Sequence, residues 1–552
     1  MASMPLRVIP LGGLGAIGKN MMVLEYGDDI VVIDCGVMFP GEDMPGVDLV
    51  IPDISYLVER SHKVRAILIT HGHEDHTGAL PYVLPRLNVP VFAPRLAHGL
   101  ISVKLKDHGL HKSTDLRAIE PGVPISLGPF ETEAFRVCHS IPDAMGLAIR
   151  TPVGLVVHTG DFKIDHTPVD GKTTDLASLA RYGAEGVLLL LSDSTYAELE
   201  GYTPSERVVG EALDRVIAEA PGRVLVATFA SLIARIQQAI EAAARHGRKV
   251  AVVGRSMVDN VAMATEMGYI KAPPGVLVSL QKAMKLPQNE VVLVTTGSQG
   301  EPTSALVRIA SGTHRQIEVF PDDTVIISAT AIPGNEKVVY RTIDNLMRQG
   351  ARVLYDKIAL VHVHGHSSRE ELKIMLNLTE PKFFVPVHGE YRGLAAHASL
   401  ARDMGVQKDN AFILEDGDVL ELTSTGGQVT EQVSAGHIYV DGLSTMDTKS
   451  VVLRDRKLLS QDGIVVIVLS FDKASGAPLS EPAVVSSGFV EHQQAEELFG
   501  KVAANIYDSL DHGSHYPLDW SYVNAKVKEI AGELLYKGTG RRPMIIPVTL
   551  EV

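Results

Sequence analysis

The stretch Ile67-Leu-Ile-Thr-His-Gly-His-Glu-Asp-His-Thr-Gly78 sets three imidazoles and two carboxylates directly behind an apolar run. With 21 His and 66 acidic residues in 552, the pattern His-x-His-x-Asp-His is rare by chance. Alternation out of a strand points His71 and His73 the same way, leaving Asp75 and His76 for a second ion beside the first. The implied chemistry is metal-assisted. Imidazole and carboxylate without thiolate suit zinc or manganese and do not decide between them. His139, in Cys138-His-Ser-Ile-Pro-Asp143, and Asp161, in Thr159-Gly-Asp-Phe-Lys163, are the natural further ligands at other strand ends. Asp34 follows Ile30-Val-Val-Ile33, where it can order a ligating histidine through a hydrogen bond. The two cysteines, Cys35 and Cys138, neighbour these candidates and read as small buried hydrophobes.

The elements that must position these groups are predicted as buried strands, because short Val, Ile and Leu runs bounded by polar or glycine residues recur along the chain. Ile30–Ile33, Ala66–Ile69, Leu155–Val157 and Val187–Leu191 each run into polar chemistry, as do Ala359–His366 and Phe383–Glu390. From about residue 206 the rhythm becomes strand, helix, strand: Arg223–Ala227, a helix over Ser231–Arg245, then Val250–Val253, Val291–Val294 and Val325–Ile327. Such alternation predicts a separate α/β unit with a parallel sheet, whose ligands gather outside the carboxyl ends of its strands. It interrupts the first fold, which is completed after it. The last hundred residues read as a strand pair, Ile464–Phe471 and Ala483–Phe489, two helices at about 494–511 and 521–537, and a terminal strand near Met544–Val552.

Composition narrows the class. A chain with 45% hydrophobic and 21% charged residues is an ordinary globular composition, and its length suits three or four units. No apolar run reaches the roughly 20 residues that span a bilayer, so no membrane partner is expected. Two cysteines and the lack of a leader before the first strand-like segment point to a reducing cytoplasm. A net charge of −15 argues against coating nucleic acid by bulk attraction. Local basic clusters remain, at Lys104 and Lys106, His111 and Lys112, Arg454 to Lys457, and Arg541 and Arg542.

Asp34, His71-Gly-His-Glu-Asp-His76, His139 and Asp161 occur in the order and context of the metallo-β-lactamase fold. Asp193 in Ser192-Asp-Ser-Thr195, His366 in His362-Val-His-Gly-His366, and His388 in Val387-His-Gly-Glu390 resemble the further signatures of its β-CASP nucleic-acid-processing branch. Leu11–Asn20, Gly254–Met257, Thr296–Pro302, Ile332–Glu336 and Arg541–Met544 extend the resemblance, to bacterial ribonuclease J, over essentially the whole chain. The resemblance implies an α/β architecture: a metallo-β-lactamase αββα sandwich in residues 1–205 and 361–448, an inserted β-CASP domain in 206–360, and a small C-terminal α+β domain in 449–552. It also implies that His71, His73 and His139 hold one ion and Asp75, His76 and His388 the other, with Asp161 bridging. Asp75, Asp193 and His366 would then be catalytic, His366 being oriented by Asp193 to meet the leaving 3′ oxygen.

The implied activity is 5′-to-3′ exonuclease action on single-stranded RNA with a 5′ monophosphate, together with endonuclease action, in RNA maturation and decay. His362, Val363, His364, Gly365 and His366, helped by Ser298, would receive the terminal phosphate. Two divalent ions are expected, zinc ahead of manganese, and Asp48 and Asp441 fall where the family can hold a structural calcium. A homodimer or homotetramer and membership of an RNA-degradation complex are further implications. This chain departs from the common family pattern in carrying His364 for Ser and Ala16 for Glu. A small-molecule thioesterase or lactamase of the same fold is the alternative, and a catalytically silent RNA-binding scaffold a third reading; the latter would have lost ligands that are all present here.

Overall fold

The strand Val187–Asp193 is buried along its whole length, and its alternating side chains serve two cores. Leu189 and Leu191 join Leu147, Val156, Phe383 and Val385 against Leu24, Val31, Ile33 and Leu68 of a second sheet, while Leu190 faces Tyr182, Leu372, Met375 and Leu400. A strand covered on both faces has no polar side to show, which is why it reads as an unbroken aliphatic run.

The computed structural model describes residues 4–41, 44–301, 303–332, 335–442, 444–447, 451–473, 475, 477–490, 492–511 and 520–552. It falls into two units, Met1–Phe39 with Val50–Ile438, and Pro40–Leu49 with Tyr439–Val552. In the first unit, a six-stranded sheet is ordered Phe383–Val387, Val187–Asp193, Leu155–His158, Met145–Arg150, Phe130–Arg136 and Pro124–Leu127. Facing it, an eight-stranded sheet is ordered Gly427–Gln432, Asp418–Leu422, Leu6–Gly12, Met21–Tyr26, Asp29–Ile33, Val64–Leu68, Val91–Pro94 and Leu116–Ile119. With helices Leu176–Glu185, Arg369–Thr379 and Tyr391–Asp403 over the outer face of the smaller sheet, this is the expected αββα sandwich.

The inserted sheet is parallel throughout, ordered Lys249–Val253, Val291–Thr295, Val224–Ala227, Thr324–Ile327 and Arg352–Leu354. Val224, Val226, Val292 and Val294 face helices Arg207–Glu219, Ile233–Arg245 and Arg255–Glu266; Leu225, Leu293 and Val325 face Ala305–Ala310 and Glu336–Arg348. The sandwich closes around this insertion. Phe383–Val387 pairs in parallel with Val187–Asp193, setting Val387 beside Asp193, and Asp418–Leu422 pairs with Leu6–Gly12.

One expected strand is absent. Ala359–His366 is irregular, because the carbonyl of Val361 accepts from Ser328 Oγ at 2.6 Å and from Arg235 Nη1 at 3.3 Å instead of from a neighbouring strand. Pro302, Pro333 and Gly334, within two of the family-like stretches, lie outside the described residues.

In the second unit, Ala483–Ser487, Ile464–Phe471 and Met544–Glu551 form a sheet. Its Val465, Ile467, Leu469 and Phe471 pack on Val502, Ile506, Val523, Val527 and Leu535 of helices His492–Asp511 and Trp520–Thr539. The second strand stops at Ser487, short of the expected Phe489. No helix among the described residues is long and apolar enough to cross a membrane.

Arg235 is 1% exposed and pairs with Glu206 through Nε at 2.7 Å and through Nη2, while Nη1 reaches Ser328 Oγ. Removing one partner of a buried ion pair strands the other charge. Arg235→Met is expected to lower the unfolding free energy by about 3–5 kcal/mol, and Arg235→Met with Glu206→Leu to lose much less. Urea midpoints of the two variants check this; equal losses would refute the charge argument.

Candidate active site

The ligand-type side chains sit where strands of both sheets stop. His71–His76 follows Val64–Leu68, His139 follows Phe130–Arg136, Asp161 follows Leu155–His158, Asp193 ends its own strand and His388 follows Phe383–Val387. Asp34 and His388 adopt left-handed backbone conformations, φ 63° and 53°, which turn the chain sharply as it leaves a strand. Gly36 lets the turn carrying Asp75 and His76 come close, since a Cβ there would lie 1.5 Å from the Asp75 carbonyl oxygen. The amides of Asn20 and Cys35 then donate to the carbonyls of Asp75 and His76 at 3.1 and 2.8 Å.

Among the described residues three groups of side chains could hold a metal ion: His71, His73 and His139; Asp75, His76, Asp161 and His388; and Asp161, Asp193, His366 and His388. His73 Nδ1 lies 3.1 Å from the Nε2 atoms of both His71 and His139. Two nitrogens bound at 2.0–2.1 Å to one tetrahedral zinc lie about 3.3 Å apart, so the spacing suits ligands of a shared ion. Asp161 Oδ2 touches both of the first two groups, at 3.6 Å from His71 Nε2, 3.1 Å from His76 Nε2 and 3.4 Å from His388 Nε2.

The outer hydrogen bonds fix which ring nitrogen faces inward. Thr70 gives its hydroxyl proton to Asp34 Oδ2 at 2.9 Å, so its oxygen accepts from His71 Nδ1 at 3.0 Å. Thr195 gives its proton to Asp193 Oδ1 at 2.8 Å and accepts from His388 Nδ1 at 2.7 Å. His76 Nδ1 donates to Asp34 Oδ2 and His139 Nδ1 to the Gly365 carbonyl, each at 2.8 Å. Four imidazoles therefore turn Nε2 toward the centre. This is how carboxylates and carbonyls behind ligating histidines set the tautomer and ring orientation.

Electrostatics agree. Burial pushes His71 and His139 well below the ordinary imidazole value and His73 to about 4, giving the neutral rings that metal binding requires. Burial also opposes charge on Asp75 and Asp161, yet His76 and His388 hold Asp75, and His388, His76 and His71 hold Asp161, well below the usual carboxylate range. Against its own burial, His76 is raised well above its ordinary value by Asp161, Asp75 and Asp34; His388 is likewise raised to about 9 by Asp161 and Asp75. The carboxylates demand positive charge here, and divalent ions can satisfy them in place of protons. The donor set fits two such ions.

His366 Nδ1 donates to Asp193 Oδ2 at 2.8 Å. Among the described residues the buried Nδ1 atoms of His362 and His364 have no hydrogen-bond partner, and Val363 is buried between them. Gly365 packs so closely that a Cβ would lie 2.6 Å from His139. Ser298 is buried in the loop after Val291–Thr295, and no hydrogen bond joins it to His362–His366. Asp48 accepts from the Gly442 amide at 2.7 Å and Asp441 pairs with Arg456 at 2.6 Å, so a guanidinium already meets the Asp441 charge. Cys35 and Cys138 are free and buried, as expected. Three contributors escaped the sequence reading: Thr70, Thr195 and Asn20, whose Nδ2 donates to the Asp75 carbonyl at 3.0 Å. All three lie inside the stretches quoted from the sequence, which was the available signal.

Family models match in four stretches: the metallo-β-lactamase superfamily over residues 14–165, the ribonuclease J β-CASP domain over 221–346, the Zn-dependent metallo-hydrolase RNA specificity domain over 350–413, and the ribonuclease J C-terminal domain over 451–552. Ribonuclease J of Thermus thermophilus is 46% identical over 552 residues, covering 99% of this chain and 95% of its own. Ribonuclease J2 of Bacillus subtilis is 42% identical over 547 residues, covering 99% and 98%. A crystal structure of a protein of unknown function from Enterococcus faecalis V583 aligns with a TM-score of 0.54 at 17% identity, covering 76% of this chain and 100% of that one, and shows a shared fold. The chain belongs to the ribonuclease J family of metal-dependent ribonucleases, RNA-binding hydrolases of the metallo-β-lactamase and β-CASP fold.

Proposed function

We propose that this ribonuclease degrades RNA from the 5′ end, prefers a 5′ monophosphate and also cuts internally. The observation that carries the reading is that His362, His364 and His366 issue from one short segment, His366 at the clustered ligands and the other two beside it, each with a buried nitrogen that has no partner among the described residues. The group that meets the leaving oxygen and the groups that would meet a terminal phosphate are thus only a few residues apart, which suits removal of one nucleotide at a time. A thioesterase or lactamase would use neither this segment nor the inserted sheet.

His71, His73 and His139 would hold one ion and Asp75, His76 and His388 the other, with Asp161 shared. When bound, the pair supplies Lewis-acid polarisation of the scissile phosphate and a nucleophile from water near neutral pH. The protein's own contribution is orientation and proton supply. Asp193 accepts the Nδ1 proton of His366 and, with its charge, raises this buried imidazole above its ordinary value, so a proton stays at Nε2 for the departing 3′ oxygen. The product keeps its 5′ phosphate. Zinc is proposed ahead of manganese, supported by the nitrogen-rich first group.

Residues 1–205 with 361–448, 206–360 and 449–552 are assigned as the sandwich, β-CASP and C-terminal domains, a division supported by the change of sheet near residue 206. Self-association through the C-terminal unit, as a dimer or tetramer, is supported by the apolar outer side of its sheet, where Val485, Ile546, Val548 and Leu550 are exposed. A cytoplasmic setting is supported by the two free cysteines.

RNA labelled at its 5′ end should release labelled mononucleotide steadily when it carries a monophosphate, much more slowly with a triphosphate, and not at all with chelator. Release from both forms alike would overturn the terminal preference; activity of His76→Ala in chelator would overturn the metal mechanism. His366→Ala and Asp193→Asn should each retain two ions by elemental analysis and lose about 10²-fold or more in kcat, the usual worth of a positioned acid. Loss of an ion instead would reassign the pair as ligands.

A further inference from the structure

Tyr196 follows directly on the Asp193–Thr195 turn that orders His366 and His388, and no step above uses it. Its ring stacks on the His364 imidazole with centroids 4.1 Å apart and planes tilted by 35°, and meets the His366 ring edge-on at 5.9 Å. Its place is fixed from both sides. The Thr195 amide donates to Asp193 Oδ1 at 3.0 Å, and the Tyr196 carbonyl accepts from the Leu199 amide at 2.9 Å. The side chain is half-buried, no described residue hydrogen-bonds its hydroxyl, and that oxygen still reaches solvent, while the buried His364 Nδ1 has no partner among the described residues. A buried polar atom without a partner is costly, and a solvent-reaching hydroxyl without a protein partner beside it is free to meet a ligand.

We propose that Tyr196 is a substrate-contacting residue: its O–H donates to a phosphate oxygen of the RNA bound at His364–His366, and its ring holds His364 in place. The proposal rests on the reading of this segment as the RNA phosphate pocket. A phosphate at neutral pH offers acceptors, and burial, with Asp193 and Asp356, keeps the phenol protonated, so the bond can form in one direction only. A neutral donor also binds phosphate without the fixed positive charge of a lysine or arginine, which suits a strand that must advance after each cut.

Tyr196→Phe keeps the stack and removes the hydroxyl; Tyr196→Ala removes both. On the metal-loaded full chain, Tyr196→Phe should raise KM for 5′-monophosphate RNA about tenfold, the worth of one hydrogen bond to a charged group, with kcat within about twofold and two ions retained. Tyr196→Ala should lower kcat as well. If the wild type treats 5′-monophosphate and 5′-hydroxyl RNA alike, the terminal preference fails; a raised KM on both substrates in Tyr196→Phe then still supports contact with an RNA phosphate. A KM within about twofold of wild type on both would overturn the proposal, as would a loss confined to kcat.

Discussion

The constraint that organises this molecule is the concentration of negative charge in one buried place. Asp34, Asp161 and Asp193 are each 3% exposed or less, and Asp75 stands beside them. Carboxylates withdrawn from water persist only if positive charge and hydrogen bonds meet them at once. Imidazoles from separate strand ends do part of this, and divalent metal binding can do the rest. The sandwich is the device that delivers them. Strands of both sheets stop at the same edge, so residues remote in sequence, such as Asp75 and His388 at 3.2 Å, arrive within bonding distance.

The inserted sheet has a different task. It supplies no member of the two clusters assigned to the ions; its contribution runs through Arg235 and Ser328, which take the carbonyl of Val361 and so anchor the segment carrying His362, His364 and His366. The other end of that segment is tied to the candidate metal ligands by the Gly365 carbonyl, which accepts from His139, and is held further by the His366 carbonyl, which accepts from Thr203 at 2.8 Å. The segment proposed to handle substrate is therefore mechanically joined to the candidate metal ligands. The join depends on a buried ion pair between Arg235 and Glu206, not on sheet pairing.

This division explains what could be read from the sequence. His71 to His76 announced itself because ligands from one turn are close in sequence, and the aliphatic runs announced their strands because burial on both faces leaves a period-free signal. His388 and His366 have no such local mark; family resemblance supplied them. Val361-His-Val-His alternates like a strand, yet alternation reports only an extended backbone. Whether a neighbour pairs with it depends on Ser328 and Arg235, far away along the chain. Thr70 and Thr195 were missed because their role lies in a single proton: each donates to an aspartate, which obliges it to accept from a histidine. That logic needs coordinates.

Neighbouring charge then sorts chemically identical side chains into separate tasks. His71, His73 and His139 are driven down by burial and one another, and are neutral donors for a cation. His76, His388 and His366 face carboxylates and are driven up, the first two where the ligand carboxylates cluster and the third where, in the proposed mechanism, a proton would be delivered. His362 and His364 are driven down again, His362 by burial and Arg235 and His364, to about 4, by burial and His366. They are left uncharged beside the His366 imidazole. In the proposed mechanism, a neutral pocket next to a charged acid would hold a phosphate without trapping it, so placing the carboxylates on one side of the segment and the guanidinium on the other would separate cutting from holding within five residues.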